Sequence, residues 1–270
     1  MKFLITNDDG VDAPGIESLY DSFVAFLRQS GQVDAEVMVV APDQGRSECG
    51  HSVTTSRDLN VRQVRAGWFS VDGTPVDCVR TALACICPDV DAVFSGINAG
   101  ANVGIDLLVS GTFAAAREAS IHGKPAMAIS HYRRPEFPKT WDHAGRWLAP
   151  AWKAFFAQMN SPVQRDVLLW NVNLPALPPD AMADGSLIPP MRYCAVDENP
   201  MVRSGPVWGD FITELEGSAE GLTAVQLSSD FHNRPRTPGS DVDHCFSGRL
   251  TVSSIEPKLT SRSFEGTVPE

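Results

Sequence analysis

Two adjacent carboxylates stand at the end of a short apolar run near the start of the chain. The segment FLITNDDGVDAPGI, residues 3–16, passes from apolar residues into Asn7, Asp8, Asp9 and Gly10. Side chains alternate faces along a strand, so neighbouring carboxylates can meet one cation only where the chain leaves the strand and turns. Gly10 supplies such a turn. The pair is therefore a candidate metal site; the alternative is that one aspartate caps the following helix while the other faces water.

Two further loops carry neutral oxygen donors. The segment APDQGRSECGHSVTT, residues 41–55, is long and polar and holds Ser47. The segment INAGANVGIDLLVSG, residues 97–111, is rich in glycine and contains Asn98 and Asn102. Long glycine-rich loops inside a compact domain are usually functional, because bare backbone can approach a ligand closely. Two carboxylates, a serine hydroxyl and an asparagine carbonyl would form an all-oxygen set, which suits Mg²⁺ or Mn²⁺ and not zinc.

A third feature is the helix start at Ser110, Gly111 and Thr112. Free N–H groups and the positive end of the helix dipole make such a turn a candidate phosphate site, although Ser110 taken alone fits an ordinary N-cap. The segment contains neither G-x-G-x-x-G nor a GK[ST] P-loop, so its glycines do not indicate dinucleotide or P-loop binding. A divalent cation beside this helix start would neutralise a phosphate monoester and polarise it toward attack by water. That is phosphatase chemistry.

The elements that must position these loops alternate between strand and helix. Apolar runs typical of strands buried on both faces lie at residues 2–6, 36–41, 91–95, 125–130 and 167–172. Helical patterns lie between them, at residues 16–27, 74–87, 110–122 and 141–159. This alternation predicts an α/β fold with a doubly wound, mostly parallel sheet and right-handed crossovers. Ligands in such sheets bind beyond the carboxyl ends of the strands, where the three loops emerge.

The composition changes after residue 175, where prolines follow in quick succession. Residues 186–256 predict short antiparallel strands and loops, with a hairpin-like excursion at 207–215 and a last strand at 249–255. We therefore expect two parts: an α/β core with the candidate site, residues 1–180, and a β-rich C-terminal extension, residues 181–270.

Composition and charge exclude several classes of protein. The chain has 270 residues, 43% of them hydrophobic, and a formal net charge of -11, so it can bury a sizeable core but lacks the basic stripe that nucleic-acid binding requires. No apolar stretch approaches the roughly 20 residues of a membrane span, and the short apolar run at residues 3–5 leads us to expect no secretory leader before the six cysteines. We expect a cytoplasmic protein with reduced cysteines. Cys85 and Cys87 form a C-x-C without a second ligand pair, which favours buried thiols over a metal site.

Taken together, these segments resemble a known family. The motifs that carry the resemblance are ITNDDGVDAPGI, APDQGRS, GTPVDCV, SGINAGANVGIDLLVSGT followed by AAREA, NVNLP and the late GSDVD. They are similar to the SurE family of metal-dependent nucleoside monophosphate phosphatases, also called survival proteins. The similarity spans roughly residues 1–257 and is densest before residue 131.

The resemblance implies a set of site residues. It places the ligands of one divalent cation per subunit, Mg²⁺ or Mn²⁺, at Asp8, Asp9, Ser47 and Asn98. By position, the phosphate contacts would be Asn102, Ser110, Gly111 and Thr112.

The resemblance also implies a fold, an assembly and substrates. It suggests a Rossmann-like core and a C-terminal extension that exchanges between the subunits of a dimer or tetramer. Substrates would be nucleoside 5′- or 3′-monophosphates, or short polyphosphate, with neither nucleic acid nor membrane as a partner.

The chain departs from the family pattern at positions near the site. Glu48 stands where glycine normally follows the serine, Gly50 stands where a small hydroxyl residue is common, and Val109 replaces a tyrosine. We expect the Glu48 carboxylate to face solvent, because an acid facing a phosphate would be costly. These departures concern substrate preference more than the ligand set.

Three hypotheses follow for the function. The leading one is metal-assisted hydrolysis of a phosphate monoester, in which Asp8 and Asp9 hold the cation and one of them orients or deprotonates the attacking water. The second is a non-catalytic nucleotide or metal sensor that uses the same cleft and signals through oligomerisation. The third is a glycosyltransferase with a D-x-D-like pair, but here the acids are adjacent and lack the spacer residue.

Overall fold

A nine-stranded sheet forms the centre of the protein in the computed structural model, which describes residues 1–47, 49–162, 167–205 and 227–257. The strands are β1 (Lys2–Thr6), β2 (Glu36–Pro42), β3 (Val61–Arg65), β4 (Trp68–Val71), β5 (Ala92–Asn98), β6 (Ala126–His131), β7 (Leu169–Leu174), β8 (Met191–Tyr193), β9 (Arg203–Ser204), β10 (Ser228–Ser229) and β11 (Leu250–Ser254). Their order in the sheet is β3-β4-β2-β1-β5-β6-β7-β11-β8, and β9 pairs with β10 separately.

The sheet is parallel through its middle and antiparallel toward its edges. The strands from β4 through β2, β1, β5 and β6 to β7 pair in parallel. At one edge β3 is antiparallel to β4, and near the other β11 is antiparallel to β7. The predicted doubly wound, mostly parallel α/β fold is therefore confirmed.

Helices cover both faces of this sheet. They are α1 (Pro14–Gln29), α2 (Pro75–Thr81), α3 (Gly111–Ile121), α4 (Ala144–Met159), α5 (Pro179–Ala183) and α6 (Asp241–Phe246), with a π-helical turn at Ala82–Ile86 and a 3₁₀ helix at Gly104–Val109. Buried side chains of α1 and α4 share one hydrophobic cluster, those of α2 and α3 share a second, and a smaller third cluster holds Val103, Tyr132, Val242 and Cys245. The result is a three-layer α/β/α arrangement, as parallel sheets require.

The alternation of side chains along β1 links the two cores. Phe3 and Ile5 belong to the cluster on the α1 and α4 face, whereas Leu4 belongs to the cluster on the opposite face. On the first face, the Phe23 ring of α1 lies 5.1 Å from Phe3 and 4.6 Å from Phe94, measured between ring centroids. Burial on both faces explains why the strand reads as a continuous apolar run.

The strand order creates a crevice beside β1. From β1 the chain passes through α1 to β2 on one side, and later through α2 to β5 on the other side. The loops after β1 and β5 therefore diverge at a topological switch point. Open α/β sheets bind ligands at such a point, beyond the carboxyl ends of the strands.

Several boundaries differ from the sequence-based prediction. The strand predicted at 91–95 continues to Asn98, and a 3₁₀ helix fills part of the loop predicted after it. The helix predicted at 74–87 is α2 followed by the π-helical turn, and the β3–β4 hairpin was not predicted. The exposed side chain of Cys85 also corrects the prediction of a buried thiol, because this residue lies on the solvent side of the π-helical turn.

The C-terminal segment contributes strands to the main sheet. β11 matches the strand predicted at 249–255, and it joins β7 to β8. The hairpin predicted at 207–215 lies outside the described residues, and the division at residue 180 stays a prediction. Within the described parts of the chain, no helix is long and apolar enough to cross a membrane.

Candidate functional site

The turn after β1 is closed by the side chain of Asn7. Its amide nitrogen donates to the carbonyl of Gly10 at 2.8 Å, and its amide oxygen accepts from the N–H of Gly10 at 3.2 Å. Gly10 has φ +106°, a backbone conformation that favours glycine. The chain thus leaves the strand at the two aspartates, as the sequence predicted, and turns into α1.

Asp8 is the buried carboxylate of the pair. Its side chain is 7% exposed, and its Oδ1 accepts a hydrogen bond from the Thr112 hydroxyl at 2.7 Å. Burial raises the pKa of Asp8 from 3.8 to about 6, the charge of Asp9 adds to the rise, and the Thr112 hydrogen bond opposes it. The ionised form of Asp8 therefore lacks full compensation inside the protein, which is the condition that a bound cation would relieve.

Asp9 is half-buried and contacts the loop after β5. Burial raises the pKa of Asp9 as well, and a hydrogen bond from the backbone N–H of Ala99 partly offsets this rise. Because Ala99 follows Asn98 directly, this contact brings Asp9 to the residue predicted as a metal ligand at the end of β5.

Asn98 stands at the end of β5 with its side chain partly buried. Its amide nitrogen donates to the carbonyl of Gly100 at 2.8 Å. Since this bond uses the nitrogen, the amide oxygen is the atom that could bind a cation.

The loop after β2 is attached to the turn that carries the aspartates. The N–H of Arg46 donates to the main-chain carbonyl of Asp8 at 2.7 Å, and the N–H of Val11 donates to that of Pro42 at 2.8 Å. Ser47 comes next in the chain and its side chain is exposed. The hydrogen bond from Arg46 therefore places Ser47 close to Asp8 and Asp9.

The start of α3 packs against Asp8. The Ser110 hydroxyl accepts from the N–H of Phe113 at 3.1 Å, so the ordinary N-cap considered for this serine is present. A Cβ built on Gly111 would lie 3.0 Å from both Cβ and Oδ2 of Asp8. The carboxylate and the helix start are therefore adjacent, and only glycine at position 111 leaves this distance free of strain.

Asn102 contacts Thr112, the residue that is also bound to Asp8. Its amide nitrogen donates to the Ser130 hydroxyl at 2.8 Å and, over a longer distance of 3.4 Å, to the Thr112 hydroxyl. Thr112 in turn donates to Asp8, so hydrogen bonds connect Asn102 to the buried carboxylate. Asn102 itself is held from β7 by Asn171 and Asn173.

The structure thus brings four of the eight predicted site residues together by direct contact and places the other four beside residues that make such contacts. Contacts join Asp8, Asn102, Gly111 and Thr112, with Ser110 capping the same helix. Ser47 follows Arg46, whose N–H donates to the Asp8 carbonyl, and Asn98 precedes Ala99, whose N–H donates to Asp9. Asn171, Asn173 and Ser130 were not predicted as site residues; the motif NVNLP was the available signal for the first two.

The chemistry of the donors fits a hard divalent cation. Across the described ranges, none of the ion pairs involves a Lys or Arg with Asp8 or Asp9, so both carboxylates lack a basic counter-charge there. Among the described residues, no group of three or more His, Cys, Asp or Glu side chains is placed to hold a metal. Carboxylate, hydroxyl and amide oxygens are the donor types that hard divalent cations prefer.

The fold and the site define a class of protein: a doubly wound α/β protein with two adjacent carboxylates at its topological switch point. Within that class, the sequence profile of the family described as Survival protein SurE matches residues 3–195. The chain belongs to the SurE family.

Relatives and a solved structure agree with this assignment. A protein from Neisseria gonorrhoeae named 5′-nucleotidase SurE is 43% identical over 268 residues, which cover 97% of this chain and 94% of that protein. A putative 5′-nucleotidase from Nostoc sp. is 36% identical over 255 residues, covering 94% and 99%. The crystal structure of SurE protein from Aquifex aeolicus has a TM-score of 0.73 and 26% identity, covering 96% of this chain and 95% of that one.

Proposed function

We propose that the protein is a divalent-metal-dependent phosphatase that hydrolyses nucleoside 5′-monophosphates. The observation that carries this proposal is the contact between Asp8 and the start of α3. A buried carboxylate with a pKa of about 6 lies directly against a helix N-terminus, where an anion is favoured and a phosphate would otherwise be repelled by the acid. A divalent cation held by the carboxylate would offset this repulsion.

Each site residue has a role in this proposal. Asp8, Asp9, Ser47 and Asn98 would hold one Mg²⁺ or Mn²⁺ ion. When bound, the cation offsets the charge of the phosphate and polarises it toward attack by water. The backbone N–H groups at the start of α3 and the side chain of Asn102 would donate to phosphate oxygens.

The attacking water requires an acceptor for its proton. Asp9 is the more exposed of the two carboxylates, so it is the one that can accept a hydrogen bond from that water and orient it. The water oxygen forms a new P–O bond while the P–O bond to the sugar breaks, and the proton lost by the water passes through Asp9 to the sugar oxygen, so that the nucleoside and inorganic phosphate leave. Asp8, with its Oδ1 bound to Thr112, is held for a ligand role.

The names of the relatives support the 5′-nucleotide as substrate. The proteins from N. gonorrhoeae, Legionella pneumophila and Geobacter sp. are all named 5′-nucleotidase SurE. A 3′-monophosphate and the end of a short polyphosphate present the same terminal group, so we include both activities in the proposal.

We also propose self-association as a dimer or tetramer through the C-terminal extension, residues 181–270. Four large apolar side chains in the described part of this segment are exposed and would be available to such an interface. They are Ile188, Tyr193, Val202 and Leu227.

Removal of metal should abolish phosphate release. Chelation with EDTA is expected to lower the rate of phosphate release from AMP by at least about 100-fold, and Mg²⁺ or Mn²⁺ should restore it better than Zn²⁺. The measurement is a colorimetric phosphate assay on 5′- and 3′-monophosphates and on tripolyphosphate.

The same assay separates an enzyme from a sensor. A sensor would bind nucleotide, as seen by calorimetry, and release no phosphate with any of the three cations. Undiminished turnover in EDTA would contradict the metal dependence.

The close approach of Gly111 to Asp8 leads to a further prediction. In Gly111→Ala the new methyl group, 3.0 Å from the Asp8 carboxyl, must displace it by a few tenths of an ångström. We expect kcat/KM to fall about 10- to 100-fold, because small misplacements of reacting groups are costly. Gly185→Ala is the matched control, since a methyl group added at that glycine would meet no atom within 4 Å. Equal activity of the two variants would argue against Asp8 as a ligand.

A further inference from the structure

Two asparagines of β7 lie on the face of the sheet that α3 covers. Asn171 and Asn173 are 1% and 0% exposed, and they stand in register with Ala128 and Ser130 of β6. Polar side chains so deeply buried are normally satisfied by hydrogen bonds. The partner that both share is the backbone of Asn102.

The Asn173 side chain pairs with Asn102 as a neighbouring strand would. Its amide oxygen accepts from the N–H of Asn102 at 2.9 Å, and its amide nitrogen donates to the carbonyl of Asn102 at 2.9 Å. Asn171 adds one donor to the same carbonyl at 2.8 Å. A primary amide can do this because it offers a donor and an acceptor side by side, whereas a carboxylate lacks the donor and a serine is too short to bridge both groups.

This pairing fixes the residue that reaches into the site. The Asn102 side chain continues to Ser130 and Thr112, and Thr112 donates to Asp8. The bond to Thr112, at 3.4 Å, is the weaker of the two from Asn102, so it is the one that a phosphate oxygen can replace. The position of the Asn102 amide therefore depends on a residue 71 positions later in the chain.

We propose that Asn173 is a positioning residue for phosphate binding. It holds the backbone of Asn102 so that the Asn102 side chain meets the phosphate at the start of α3. The inference rests on the phosphatase function proposed above. It assigns Asn173 to phosphate affinity and leaves the cation ligands to the loops after β1, β2 and β5.

The test compares two substitutions at one position. Asn173→Asp keeps the shape but removes the donors and adds charge, whereas Asn173→Ser is neutral and too short to bridge. For both variants we expect the KM for AMP and the inhibition constant of inorganic phosphate to rise about 10- to 100-fold, as loss of binding contacts predicts. The dissociation constant of Mn²⁺, measured by calorimetry without nucleotide, should stay within about twofold, because the cation ligands are untouched.

Two controls sharpen this result. Asn171→Ser removes a single hydrogen bond and should raise KM by roughly fivefold, the effect of about 1 kcal/mol. Asn60→Ser, at an exposed asparagine bound to Asp72, should behave as wild type. In a double-mutant cycle, Asn173→Ser should add little to Asn102→Ala, because the first acts through the second.

Several outcomes would overturn the assignment. Unchanged KM and phosphate inhibition in Asn173→Ser would do so, as would an effect confined to Asn173→Asp, which would be one of charge. Parallel loss of Mn²⁺ affinity, or loss of the folded circular dichroism spectrum in both variants, would make Asn173 a structural residue. Failure of the wild-type protein to bind Mn²⁺ and release phosphate would refute the proposed function as well, whereas the other outcomes leave that function intact.

Discussion

Replacing Asp8 by asparagine is expected to abolish turnover and leave the fold intact. Asparagine keeps the shape and can still accept the Thr112 hydrogen bond, which is 2.7 Å long in the structure. It removes the negative charge that a cation needs, so kcat/KM should fall by at least about 1,000-fold. Steady-state phosphate release at saturating Mn²⁺ measures this effect, and Asp9→Asn should behave in the same way.

The same substitution should raise the stability of the metal-free protein. The pKa of Asp8 is about 6 in the folded protein and 3.8 as the reference value, so the folded state binds the proton more tightly. Stability is therefore lost as the pH rises from 3.8 through 6, and at pH 7 the buried charge costs roughly 1–3 kcal/mol. The gain in the asparagine variant should be present at pH 7 in EDTA and disappear below pH 3.8.

A substitution that lowers activity and raises stability is typical of a carboxylate in a functional site and not of a structural carboxylate. Thermal unfolding in EDTA at several pH values measures the change in stability. Cys85→Ser is the control for both measurements. This thiol is exposed and is not one of the predicted site residues, so its replacement should change neither activity nor stability. Wild-type turnover in Asp8→Asn, or a lower melting temperature at pH 7, would contradict the site assignment.

The parallel core of the fold was predictable because its strands are buried on both faces. The buried middle of a strand such as β1 or β6 is a run of apolar residues, and that leaves a continuous pattern in the sequence. The β3–β4 hairpin leaves only a weak pattern in the sequence. All five residues of β3 are exposed, so no buried face imposes an alternation of apolar and polar residues. The sequence shows where burial is complete and says little about strands at the edge.

The site was predictable to the extent that it lies in chain turns after strands. The aspartates and the start of α3 combine residue type with a position at a strand end or helix start, which the sequence displays. The hydrogen bonds from Asn173 to Asn102 and from Thr112 to Asp8 join residues 71 and 104 positions apart. Such pairings depend on the sheet order, and no local pattern in a single sequence encodes them.

The second large effect is expected in the core beneath the site. Phe23 of α1 is fully buried, and its ring lies 5.1 Å from Phe3, 4.6 Å from Phe94 and 5.4 Å from Trp152. Its side chain holds α1, the helix that follows the aspartate turn, against β1 and β5 and against α4. Phe23→Ala should leave a cavity that these rigid rings cannot fill, and it should lower the free energy of unfolding by about 3–5 kcal/mol.

Urea unfolding followed by tryptophan fluorescence measures this loss, with Trp152 as a reporter beside the cavity. Phe23→Leu keeps most of the volume and should cost less than half as much, because the transfer free energy is largely retained and only the aromatic contacts are lost. Val33→Ala is the surface control: its side chain is 71% exposed, so the change should stay within about 0.5 kcal/mol. A loss below about 1.5 kcal/mol in Phe23→Ala would mean that α1 repacks, and the aspartate turn would then depend on its own hydrogen bonds more than on the core.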